Sequence, residues 1–325
     1  MNVMIMCWIL ATSTCHAHPI PSTAALFSPQ SGDELKKTVH QCLKMAAGVT
    51  THVTSTPIMP LPEHLQRAVT SIVEQLRAHG DSSKATAMRK YMKDQFAFFG
   101  VQSARRRESL ERSLRAVYPS TERSAYSAVP PSAVLPLAEA LFARNERELH
   151  LDAVDILTKR AEALSVQDLP SLERLIMTKS WWDTVDLLAS GCVGSVVLRS
   201  RRAGSEVMDA WIRSPNMWVR RAALLHQLKY KERTDEERLF GYIRRCLHER
   251  EFFITKAIGW VLRQHARLEP RAVQRFVLKH EAELAPLSKR EALKHCGPLV
   301  TAAVEGSKTK RKRKAATASG RRVRR

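Results

Sequence analysis

TKSWWDTVDLLASG, residues 178–191, reads as a short amphipathic helix. Ser180, followed three residues later by Asp183, has the S-x-x-D form of a helix N-terminal cap, which predicts a helix from Trp181 with Asp183 in a structural role. On that helix Trp181, Val185 and Leu188 fall at i, i+4 and i+7 and form an apolar stripe. Trp182 and Asp186, also four apart, share an adjacent face about 100° away. One helix therefore presents an aromatic ring and a carboxylate together. For such a pair standing alone, the plainer account is an edge-of-core tryptophan beside a solvated acid.

Outward from this stretch the same period recurs. PEHLQRAVTSIVEQLRAHG (62–80), PPSAVLPLAEALFAR (130–144), LHLDAVDILTKRAEAL (149–164), ERLFGYIRRCLHER (237–250), ITKAIGWVLRQHA (254–266) and SKREALKH (288–295) all read as helices. They are separated by breaks at Gly, Pro, Asp or Ser, with almost no strand-like alternation. Helices that continue in pairs about 35 to 40 residues apart predict an all-α, right-handed superhelical solenoid of HEAT-like helix-pair repeats. One pair cannot bury its apolar stripe alone, so neighbours stack and present a long concave face.

The charge suggests what that face meets. Over 325 residues, 53 Lys and Arg against 32 Asp and Glu give a net charge of +21, which points to a polyanionic partner. The tail from Lys308 to Arg325 supplies 10 positive charges and no acid, and residues 1–61 add a net +1, so residues 62–307 keep +10 of their own. A basic repeat domain with a groove of this kind suits duplex nucleic acid; a merely well-solvated basic surface is the alternative. No run of about 20 apolar residues predicts a membrane span.

Residues 1–61 are rich in Ser, Thr and Pro and predict a poorly structured or targeting extension, residues 62–306 the repeat domain, and residues 307–325 a disordered basic tail. MNVMIMCWILAT (1–12) resembles a secretory apolar core but lacks the charged start, so a signal peptide, an organelle address such as a mitochondrial one, and an unstructured start all stay open. KTKRKRK (308–314) and RRVRR (321–325) suggest a nuclear import signal, with a non-specific DNA-binding arm as the alternative. The nucleus is the expected location. The stretch SAYSAVPPSAV (124–134) reads as an enlarged loop. Six cysteines without a C-x-x-C pair read as reduced thiols, and His16 and His18 beside Cys15 do not make a convincing site, so neither metal nor cofactor is expected.

Two further segments bear on the Trp182–Asp186 pair. MWVRRAALLHQLKYK (217–231) places Arg221 on the same arc as Leu224, Leu225 and Leu228, where a guanidinium is costly unless paired or used. Arg220 faces elsewhere. In EFFITKAIGWVLRQH (251–265), Phe253, Ala257 and Trp260 form a stripe for which core packing is the default explanation. Yet the steps from Asp186 to Arg221 and from Arg221 to Trp260 are each about one repeat long, and equivalent positions of successive repeats lie side by side. Acid, arginine and two tryptophans are thus expected on one concave surface.

These residues resemble those of the HEAT-like-repeat alkylpurine DNA glycosylases, the AlkD type of DNA alkylation repair protein. The matching blocks are RKYMKDQFAFFGVQ (89–102), TKSWWDTVDLL, MWVRRAALLHQLKYK, HEREFFITKAIGWVLRQHA (248–266) and ELAPLSKREALKH (283–295), spread over about residues 65–300. The resemblance implies that Trp182, Asp186, Arg221 and Trp260 form the lesion site and that Tyr91 lies near the lesion. It also implies engagement through the DNA backbone without enclosing the base. On that footing Arg221 holds a phosphate beside the lesion, and Lys229, Arg263 and Ser288 with Lys289, at an expected helix start, clamp the flanking backbone.

The chemistry fits a single acid. Breaking an N-glycosidic bond builds oxocarbenium character on the sugar, and ordinary glycosidases need one carboxyl for the leaving group and a second for the sugar or water. A 3- or 7-alkylated purine, such as 3-methyladenine or 7-methylguanine, is already cationic and leaves as a neutral base. One carboxylate, Asp186, then suffices to stabilise the sugar cation and orient water, with Trp182 and Trp260 offering π faces to positive charge. The expected partner is double-stranded DNA carrying alkylated purines, bound by a monomer with no obligate protein partner. The competing reading is a non-catalytic HEAT-repeat protein that binds DNA or serves as a protein scaffold.

Overall fold

The computed structural model describes residues 61–297; the expectations for the N-terminal extension and the basic tail lie outside the described residues. The chain begins with α1 (Glu63–Ala78), α2 (Ser82–Tyr91) and α3 (Ser103–Val117), then α4 (Pro131–Phe142), α5 (Arg147–Lys159), α6 (Leu169–Met177) and α7 (Trp182–Leu188). It continues through α8 (Gly194–Arg199), α9 (Arg201–Trp211), α10 (Met217–Leu225), α11 (Glu236–Cys246), α12 (Phe252–His265), α13 (Pro270–Lys279) and α14 (Pro286–Ala292). Among the described residues, β structure is limited to one isolated bridge between Ala97 and Glu146. The fold is an all-α solenoid of HEAT-like helix pairs.

The repeat is regular in its second helices: α5, α7, α10 and α12 begin at residues 147, 182, 217 and 252, a constant step of 35. These helices form one row in which α3 packs on α5, α5 on α7, α7 on α10, α10 on α12 and α12 on α14. The partner helices make a second layer, α4 resting on α5, α6 on α7 and α10, and α9 on α10. Between the layers runs a continuous apolar core, from Leu65 and Ile72 at one end to Phe276 and Ala292 at the other.

Buried and partly buried ion pairs stitch the row together. Arg106 of α3 binds Asp152 and Asp155 of α5, Arg147 of α5 binds Asp183 of α7, Asp186 of α7 binds Arg221 of α10, and Arg263 of α12 binds Glu291 of α14. Arg147 is fully buried. Its Nε and Nη2 donate to the two Asp183 oxygens at 3.0 and 2.5 Å, Nη1 to the Lys179 carbonyl at 2.9 Å, and Nη2 to Thr184 Oγ1 at 2.9 Å. The guanidinium also lies 3.8 Å from the centre of the Phe96 ring.

That hub overrides the local capping rule. Ser180 does not cap α7; its Oγ donates back to the Ile176 carbonyl at 2.7 Å, and Trp181, in extended conformation, is the N-cap. Asp183 is structural as expected, but its carboxylate faces Arg147 instead of the Ser180 backbone, because a buried guanidinium without a counter-charge costs far more than a missing cap. The expected loop at 124–134 is also revised. Ala125–Ala128 form a 3₁₀ turn that buries Ala125 and Tyr126, and the carbonyls of Tyr126, Ser127 and Val129 accept from the Arg160 guanidinium. Pro131 then opens α4 from its first helical position, where a missing N–H costs nothing.

Beyond Leu188 the helix does not end but widens into a π turn, Ala189–Val193, before α8. Glycine is required there: a Cβ on Gly194 would stand 2.4 Å from the His226 carbonyl oxygen. His226 and His150 are both buried, and desolvation pushes each imidazole down to about 4. Each proton is then held better by the unfolded chain, so stability is complete above the ordinary histidine value of 6.5 and is lost as pH falls toward 4. Each should cost about 1 kcal/mol at pH 5.5 relative to pH 7.5. Urea unfolding at the two pH values checks this; equal midpoints would contradict it.

Candidate functional site

The N-terminal end of α7 carries the candidate chemistry. Trp182, its first residue, is half-buried, and one turn later Asp186 is 8% exposed. The two share a face, as the spacing predicts. Trp182 meets Tyr91 edge-on, with ring centroids 6.2 Å apart and planes at 78°. Tyr91 is 69% exposed at the end of α2. Its position is set from both sides. Asp81 caps α2 by accepting from the Ser83 and Lys84 N–H groups. Following α2, Glu148 of α5 accepts from the backbone N–H of Phe99, Gly100 and Val101.

Asp186 is engaged by Arg221 in a bidentate pair, Nε to Oδ1 and Nη2 to Oδ2 at 2.7 Å each. Arg221 is only 3% exposed, and its Nη1 donates to the Phe253 carbonyl. The arginine among leucines is thus paired. A guanidinium has five N–H groups. Three are taken, two by Asp186 and one by Phe253, which leaves two for any phosphate. Burial raises the Asp186 pKa above the ordinary carboxylate range, the Arg221 hydrogen bonds and charge oppose the rise, and Asp183 adds to it. Asp183 itself is locked to Arg147.

An aromatic cluster backs this pair. Phe253 packs on Trp181 and Trp218, with ring centroids at 5.2 and 4.8 Å, and Arg221 lies 5.8 Å from the Phe253 ring centre. Trp181, expected in the core stripe, is half-buried at this cluster, whereas Val185 and Leu188 are fully buried.

The remaining expected residues divide. Trp260 is half-buried on α12, two turns beyond Phe253, but it is not the repeat equivalent of Asp186 and Arg221. Those are the fifth residues of α7 and α10; the fifth residue of α12 is Lys256, and Trp260 follows one turn later on the same face. Lys229 is exposed just past α10, without a hydrogen bond or ion pair among the described residues. Arg263 is tied to Glu291. Ser288 is fully buried and its Oγ donates to the Thr255 carbonyl at 2.7 Å, so its side chain joins α14 to α12 and is not open to a phosphate. The helix start expected at Ser288 lies at Pro286, and Lys289 Nζ donates to the Glu281 carbonyl at 3.1 Å. The reason is close packing: Gly259 of α12 has no side chain, and a Cβ there would come within 3.1 Å of the Ser288 Cα.

Arg147, Trp218, Phe253 and Lys256 were not singled out as site residues. The constant 35-residue step was the signal for Lys256. For Trp218 and Phe253 it was their place as the second residue of α10 and α12. Among the described residues no three His, Cys, Asp or Glu side chains come together as a metal site, and no helix is long and apolar enough to cross a membrane.

A solved structure shares this architecture. A search of curated proteins gives no match. Among solved structures, the chain is similar to a predicted DNA alkylation repair enzyme from Enterococcus faecalis, at 29% identity and a TM-score of 0.60, covering 67% of this chain and 97% of that one. A second similar structure is smu.31 from Streptococcus mutans, at 14% identity and a TM-score of 0.46, covering 71% of this chain and 98% of that one. The family model described as DNA alkylation repair enzyme matches residues 72–296, which hold α7, α10 and α12 together with Tyr91. The chain belongs to the DNA alkylation repair enzyme family.

Proposed function

We propose that the protein is a DNA N-glycosylase that hydrolyses the N-glycosidic bond of cationic alkylated purines in duplex DNA, the entry step of base excision repair. The observation that carries this reading is the Asp186 carboxylate, nearly buried, paired with Arg221, and one turn from Trp182. A carboxylate offers about four lone-pair directions. Arg221 takes two, and the others remain for a sugar cation and a water. In a site shielded from solvent the electrostatic contribution of such a charge is largest.

Arg221 acts first on Asp186, keeping the carboxylate ionised and fixing its aim, and only its two spare N–H groups reach for a phosphate. Trp182, Tyr91 and Trp260 supply rings against the lesion nucleotide, each cation–π contact contributing about 0.5 to 2 kcal/mol. Lys229 neutralises the flanking backbone. Asp183, the neighbouring acid, is salt-bridged to a fully buried arginine and so is not placed to protonate a leaving base. The site supports departure of bases that need no proton.

The test is a substrate panel analysed by mass. Methylated duplex DNA should release 3-methyladenine and 7-methylguanine, whereas duplexes holding uracil, hypoxanthine or 1,N6-ethenoadenine should release nothing above background. If the base is not enclosed, enlarging the alkyl group at fixed charge should slow excision only modestly. Release of a neutral base that depends on Asp186 would show an acid catalyst absent from this scheme. Binding to methylated duplex with no base released would favour the non-catalytic reading.

A further inference from the structure

The helix α12 turns a row of four residues toward solvent on the side of the candidate site, next to the exposed Phe252 at its start. Phe253, Lys256, Trp260 and Arg263 are partly exposed at i, i+3, i+7 and i+10, while Thr255, Ala257, Gly259 and Val261 between them are buried. Rings and cations alternate along it, and cations placed so suit the phosphate backbone of a nucleic acid. The two cations are not alike. Arg263 is committed to Glu291, which also takes Lys294 at 2.7 Å. Lys256 is half-buried and makes no hydrogen bond or ion pair among the described residues.

The 35-residue step gives this lysine its place. Asp186, Arg221 and Lys256 are the fifth residues of α7, α10 and α12, so they stand in file on three successive helices. Arg221 leans back onto Asp186, and the acid one step further along, Glu291, is already filled. Glu291 is near enough to feel the Lys256 charge, but its oxygens are held by Arg263 and Lys294, so the half-buried ammonium keeps all its donors for an arriving anion. We infer that Lys256 grips a backbone phosphate of the lesion-bearing duplex, one repeat along from the Asp186–Arg221 pair, and so sets the register of the strand across the site. This rests on the duplex-DNA reading above. A point charge on a flexible stem follows a phosphate without reading sequence.

The experiment compares wild type, Lys256→Met and Lys256→Arg. Affinity for a duplex carrying a non-hydrolysable 7-methylguanine analogue is titrated against salt and repeated on unmodified duplex. Loss of one phosphate contact should make the slope of log K against log salt shallower by about 0.9 on both duplexes. Lys256→Arg should restore it. The thermal midpoint of Lys256→Met should stay near that of wild type, because no hydrogen bond or ion pair among the described residues rests on this group and its charge acts on Glu291 only from a distance, beside Arg263 and Lys294. A scan of single methylphosphonates through the strand should then find one position whose neutralisation weakens wild type but not Lys256→Met. An unchanged slope with normal wild-type binding would overturn the assignment of Lys256 alone. Failure of wild type to bind duplex DNA would overturn the duplex reading itself and this inference with it.

Discussion

Asp186→Asn should lower single-turnover excision of 7-methylguanine by at least about a hundredfold, the scale on which removing one well-placed electrostatic group acts. Binding of lesion DNA should be kept or strengthened, since a charge used mainly in the transition state adds little to ground-state affinity. The structure adds a complication that the experiment must answer. Without the carboxylate, Arg221 becomes a nearly buried cation with no counter-charge, which costs about 3 to 5 kcal/mol when one partner of a buried pair is removed. Loss of activity could then be loss of fold. The double variant Asp186→Asn/Arg221→Met removes the orphaned cation and should recover much of the thermal midpoint while staying inactive. If it excises at the wild-type rate, the carboxylate is not catalytic. In wild type the rate should fall on the acid side, with a midpoint above the ordinary aspartate value of 3.8, because burial lifts this carboxyl.

Arg147→Met should be the more damaging change to stability. It strips donors from Asp183, Thr184 and the Lys179 carbonyl at once and leaves a buried carboxylate unpaired, a loss of about 3 to 5 kcal/mol. Arg147→Lys should rescue little, because an ammonium cannot reproduce the planar fork that meets both Asp183 oxygens while lying on Phe96. Arg147→Met/Asp183→Asn should recover part of the loss. Denaturant unfolding decides the matter: a midpoint within error of wild type for Arg147→Met would mean that the hub contributes nothing net. Because Asp183 and Thr184 lie in the first turn of α7, excision should fall with the loosening of Trp182 and Asp186 even where the protein remains folded.

What could be read from the residues alone was whatever depends on period. The seven quoted helical stretches, their pairing, and the shared face of Trp182 and Asp186 follow from spacing, and the structure has them; α2, α3, α6, α8, α9 and α13, none of them among the quoted stretches, fill the gaps between. Partners across repeats were less legible. That Arg221 must be paired or used was readable from its leucine neighbours; that the partner is Asp186 was not, because nothing local to either residue names the other. Ser180 and Ser288 failed for the same physical reason. Each sits where a short-range rule favours a cap or an anion site, and each is claimed instead by a backbone carbonyl, of the preceding helix for Ser180 and of α12 for Ser288. Trp260 was assigned to the right face through a step of about one repeat, but four residues out of register with Asp186 and Arg221.

The Asp186–Arg221 pair spans two neighbouring units of a stack in which each unit touches little beyond its neighbours. Its two halves are carried on separate helices, so the distance between carboxylate and guanidinium is set by how those helices are seated on each other. Duplex laid across several units would act on the joint as a splint acts on a knuckle. On the proposed reading, the aim of the carboxylate is then a property of two neighbouring units together and not of one helix alone.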